Sequence, residues 1–71
     1  MKITGKIVHV DLSGGFWGIE GEDGQKFYPV DGLPGPFQQE GLRIKARVRP
    51  ADTFTIFMWG AGVEIDRIEK V

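Results

Sequence analysis

A chain of 71 residues is one domain near the small end of what folds alone, and 41% apolar residues exclude a disordered polymer. The absence of cysteine excludes disulfides, a thiolate nucleophile and a thiolate metal site. Nine Lys+Arg against ten Asp+Glu give a net charge of −1, which argues against a strongly nonspecific DNA binder, since such proteins carry a large positive excess.

The start, Met1-Lys2-Ile3-Thr4-Gly5, leads straight into alternating sequence without a continuous apolar segment of signal-peptide type. No stretch approaches the roughly 20 apolar residues that cross a bilayer, so a cytoplasmic protein with no membrane partner is expected. Residues 3–12 read as a first strand with Val8, Val10 and Leu12 inward, and Gly5 marks a bulge or bend within it. Ser13-Gly14-Gly15 is a turn. Residues 16–21 form a second strand, with Trp17 and Ile19 on one face and Phe16, Gly18 and Glu20 on the other. Asp23-Gly24 is a hairpin signal. The third strand, residues 25–30, turns Phe27 inward and Lys26 and Tyr28 outward, and Pro29 ends its pairing because it has no N–H to donate.

Residues 31–41 break the pattern. Gly32, Pro34, Gly35 and Pro36 leave room for at most one helical turn, around residues 37–40, and Leu33 and Phe37 are expected to plug one end of the core. From Leu42 to Arg49 apolar and cationic residues then alternate without a break. Leu42, Ile44, Ala46 and Val48 share one face of a fourth strand, and Arg43, Lys45, Arg47 and Arg49 share the other. A slip of one residue would bury four cations, so register and buried side are set together. Pro50-Ala51-Asp52 is a turn, residues 53–59 read as a fifth strand, and Gly60-Ala61-Gly62 bends it before Val63 and Ile65 resume the inward face. Ile68 ends the core.

Five short strands, with the one helical turn between the third and fourth, make an all-β chain, a single domain over residues 1–71. Closure into a barrel covers the small core and removes exposed edges. A long bent first strand containing a glycine, a Gly-rich first loop, an Asp-Gly hairpin, a plug segment and two final strands together resemble the OB-fold over nearly the whole chain. The resemblance lies in pattern and spacing rather than in a motif, and an SH3-like barrel is the competing architecture. It implies a highly bent five-stranded barrel, closed or partly open, with strand order 1-2-3-5-4. It also implies oligonucleotide or oligosaccharide binding on the face of strands 2 and 3.

Strand parity places Phe16, Tyr28, Phe57 and Trp59 on the outer surface of the second, third and fifth strands. With Lys26 and the cations Arg43, Lys45 and Arg47 they make up a candidate binding face. Two readings of that face stand side by side. In one it takes a ligand: single-stranded nucleic acid stacks its bases on such rings for about 1–3 kcal/mol each while cations follow the backbone. In the other the face satisfies itself. A turn that pairs Arg49 with Thr53 puts Arg47 opposite Thr55, Lys45 opposite Phe57 and Arg43 opposite Trp59, cross-strand pairs worth roughly 0.2–1 kcal/mol apiece.

Other constellations are weaker. His9 and Asp11 share a strand face, but zinc sites take three or four ligands and the chain has no second histidine. Glu20, Glu22 and Asp23 surround a hairpin without calcium-loop spacing. No triad signature is present. The expected protein is therefore a non-enzymatic β-barrel module with neither cofactor nor metal. Its partner is expected to be another protein or a second copy of itself, with single-stranded nucleic acid or an oligosaccharide as the alternative.

Overall fold

The computed structural model describes residues 1–11, 14–51 and 59–71. Five strands, β1 (Lys2–Val10), β2 (Phe16–Gly21), β3 (Lys26–Pro29), β4 (Arg43–Pro50) and β5 (Ala61–Lys70), close into a barrel in the order β1-β2-β3-β5-β4. A single 3-10 turn, Gly35–Phe37, stands between β3 and β4. All pairings are antiparallel except β3 with β5.

Alternation of side chains builds the core. Ile7, Ile19 and Phe27 lie side by side across β1, β2 and β3, and Ile44, Ala46 and Val48 face them from β4. Val63 of β5 and Leu33 of the connecting segment join them in the described core, with Phe37, Trp17, Ile65 and Ile68 packed around it. Each buried Ile, Val or Phe contributes on the order of 1.5–3 kcal/mol. The strictly alternating strand behaves as expected: Ile44, Ala46 and Val48 are buried, and Arg43, Lys45, Arg47 and Arg49 are exposed. Leu33 and Phe37 plug the core, and the helical turn is shorter and earlier than residues 37–40.

β1 serves two neighbours. Residues 2–6 pair with β4 and residues 5–10 with β2, so Gly5 lies at the crossover, opposite both Gly21 and Ile44. A β-carbon there would run into the Glu20 carbonyl and lie 2.9 Å from the Gly21 α-carbon. Only a residue without a side chain lets the two strands approach this closely.

Two expectations are corrected. In β1 the inward residues are Ile3, Gly5 and Ile7, whereas Val8 and Val10 point outward, opposite Gly18 and Phe16. The last strand begins at Ala61 and runs to Lys70, and its pairing replaces the expected partners of β4. Lys45 lies opposite Glu69, Arg47 opposite Arg67 and Arg49 opposite Glu64. Thr53, Thr55 and Phe57, with the expected strand across 53–58, lie outside the described residues. A register shift between Arg47 and Val48 leaves Asp66 as an extra residue on β5, the two-against-one arrangement of a β-bulge. The spacing of Val63, Ile65 and Ile68 requires it: two steps and then three keep all three on the core side.

Candidate functional site

The outer surface of β2 and β3 carries an aromatic cluster assembled from three separate elements. Phe16 opens β2, Tyr28 stands at the middle of β3, and Trp59 precedes β5. The Phe16 ring meets Tyr28 edge to face, with centroids 5.0 Å apart, and meets Trp59 in the same way at 5.5 Å. This is the geometry ring quadrupoles favour. The Lys26 ammonium lies 5.7 Å from the Trp59 ring centroid, within cation–π range. All three rings are half-buried, because they cover one another and the strand beneath.

Glycines make this seat. Gly18 is flanked on the outer side of β2 by Phe16 and Glu20, and the six-membered ring of Trp59 fills the space a side chain would need. Gly60 lets the chain press onto β3: a β-carbon there would lie 2.6 Å from the Lys26 carbonyl oxygen. Val8 and Val10 stand opposite Gly18 and Phe16 and are half-buried at the margin. The cluster is thus an outer apolar layer on the far side of the wall from the core.

The cations of β4 are not part of it. In the closed order β4 lies between β1 and β5, so β1 separates it from β2, and β5 separates it from β3. Of the expected face, Phe16, Lys26, Tyr28 and Trp59 come together, and Arg43, Lys45 and Arg47 stand on another wall. The cations expected over Trp59 are replaced by Lys26 alone among the described residues.

The β4 cations have two different surroundings. Arg43 donates from Nη2 to Glu22 Oε1 at 2.6 Å. Arg49 lies 3.3 Å from Glu64 and 3.6 Å from Asp66, and on β1 Lys6 lies 3.7 Å from Glu20. Between these pairs, Arg47 stands in register with Lys2 on one side and Arg67 on the other. No described carboxylate lies within 4 Å of Lys2, Lys45, Arg47 or Arg67. Arg67 and Lys2 were absent from the expected face. The two-then-three spacing of Val63, Ile65 and Ile68 was the signal that a bulge turns Arg67 outward.

His9 stands beside Val10 at the same end of β1, on the opposite side of the strand, and pairs in register with Trp17. Its ring meets Trp17 edge to face at 4.9 Å, and its backbone N–H donates to Glu40 Oε2 at 2.6 Å. Among the described residues no three His, Asp or Glu side chains gather as metal ligands do. No described helix is long and apolar enough to cross a membrane. Compared with protein-family models, curated proteins and solved structures, the chain matches none of them.

Proposed function

We propose that this chain is a non-enzymatic binding module of OB type that engages a protein partner, a second copy of itself included, through Phe16, Tyr28, Trp59 and Lys26. The strand order 1-2-3-5-4 supports the OB assignment. The observation that carries the functional reading is the convergence of three rings from three elements on the outer side of the wall, seated on a glycine. None of the three rings belongs to the described core. Tyrosine and tryptophan are among the residue types that dominate the energetics of protein interfaces, because each offers large rigid area with one polar handle.

The nucleic-acid alternative needs a run of cations beside the stacking rings. Lys26 is the cation in the described cluster, and Lys45 and Arg47 lie beyond an intervening strand on either side. This favours the protein partner. Light scattering across a concentration series, paired with tryptophan-fluorescence titration against oligo-dT and oligo-U at low and moderate salt, separates the readings. Mass that grows with concentration, or capture of a protein partner, in either case lost in Trp59→Ala, supports the proposal. Saturable quenching by oligonucleotide that weakens steeply with salt overturns it, because phosphate contacts release counterions.

A further inference from the structure

We propose that the outer wall of β1, β4 and β5 binds a compact oligophosphate through Lys2, Lys45, Arg47 and Arg67, a site separate from the aromatic cluster. These residues line an open cleft of about 730 Å³ that also takes in Thr4, Asp66 and Glu69. That size falls within the range of small-molecule sites, roughly 300–1,000 Å³.

The arrangement of charge is the argument. Lys2, Arg47 and Arg67 occupy directly opposed positions on three adjacent strands. Strands about 4.7–4.9 Å apart place the three cations along a row roughly 10 Å in length. Like charges directly opposite each other destabilise a sheet. The neighbouring opposed pair, Lys6 and Arg43, has the same conflict and resolves it internally, with Glu20 beside Lys6 and Glu22 bonded to Arg43. The Lys2–Arg47–Arg67 row has no such carboxylate within 4 Å among the described residues. Asp66, which borders the cleft, lies beside Arg49, and Glu69 stands opposite Lys45 in register without closing to ion-pair distance. A chain with net charge −1 thus keeps an uncompensated basic patch where its strands meet.

The extent of the patch selects the ligand. Along β4 the basic track is capped at both ends, by Glu22 on Arg43 and by Glu64 and Asp66 on Arg49. A polymer running along the strand would meet neutralised cations on leaving the centre. A short chain of phosphoryl groups fits within the row, where two guanidinium forks match phosphate oxygens bidentately and the lysines add point charge.

Isothermal titration of the full chain with sodium tripolyphosphate tests this, with sodium chloride matched in ionic strength, oligo-dT and polyglutamate as parallel arms. Saturable tripolyphosphate binding, weakened at least about tenfold in an Arg47→Gln/Arg67→Gln double variant but retained in Arg43→Gln, is the expected result. Absence of saturable binding, equal affinity in the double variant, or tighter binding of oligo-dT or polyglutamate overturns the proposal. Circular dichroism and thermal melting confirm that the variants fold. Light scattering with Trp59→Ala reads the aromatic face independently, so the two proposals fail separately.

Discussion

The six-membered ring of Trp59 stands where a side chain on Gly18 would project, so an indole from just before the last strand covers the backbone of the second. The β-carbon of Gly18→Ala would overlap Cη2 and Cζ3 of that ring. Gly18 faces away from the core, so the substitution acts on the outer cluster. The ring is displaced from Phe16 and Lys26, stability falls by about 1–3 kcal/mol, and tryptophan emission shifts red. Urea denaturation followed by fluorescence checks both effects, and wild-type stability with unchanged emission would refute the seating of Trp59.

Ile19→Ala tests the inner core. Ile19 has no solvent exposure and lies between Ile7 and Phe27. Its truncation leaves a cavity costing about 2–5 kcal/mol. For a domain whose whole stability is of order 5–15 kcal/mol, that is a large fraction, visible as a drop in the urea midpoint with little change in slope.

Gly5→Ala breaks the crossover of β1. Here the obstruction is the backbone of Glu20 and Gly21, which cannot rotate away as a side-chain tip can. The expected outcome is loss of cooperative unfolding in thermal melts and collapse of amide dispersion in an NMR spectrum. A well-dispersed spectrum would show that the strands can part at this point.

Arg43→Gln and Arg47→Gln should act with opposite sign. The first removes the partner of Glu22 and lowers stability by less than about 1 kcal/mol, as exposed ion pairs do. The second relieves the facing charges of Lys2 and Arg67 and raises stability by about 0.2–1 kcal/mol at low salt. Both differences shrink at about 1 M salt, where the screening length is near 3 Å. Thermal melts at two ionic strengths check this, and a destabilised Arg47→Gln would contradict the register of that row.

Much of the barrel was legible because particular residues permit one arrangement only. Four cations alternating with Leu42, Ile44, Ala46 and Val48 cannot be reversed without burying charge. Asp23-Gly24 fixes the hairpin between β2 and β3, with the Gln25 N–H donating to Asp23 Oδ1 at 3.1 Å. β1 was misread because its outer face turns apolar towards one end: Ile3 and Ile7 enter the core, whereas Lys2, Thr4 and Lys6 on the outside give way to Val8 and Val10, which border the aromatic layer. Alternation carries no information about direction when each side of a wall is covered. The partners of β4 differ from those expected because the expected turn sets residues 53–59 opposite it, whereas residues 63–70 of β5 pair with it in a register that a bulge sets. The candidate site was half legible for the same reason. Parity gathered Phe16, Lys26, Tyr28 and Trp59, but the neighbours of β4 depend on where β5 begins, and that displaced Arg43, Lys45 and Arg47 from the rings.

The seam between β3 and β5, only three residue pairs in length, is the shortest length of pairing on which closure of the barrel depends after that of β2 with β3. It joins Phe27, Tyr28 and Pro29 to Ala61, Gly62 and Val63, and beyond Val63 the described pairing of β5 is with β4 alone, so closure of the cylinder rests on a short stretch of backbone. In the proposed module the side chains projecting from the wall set the choice of partner, so a few substitutions there redirect it while the hydrogen-bonded cylinder behind them stays the same.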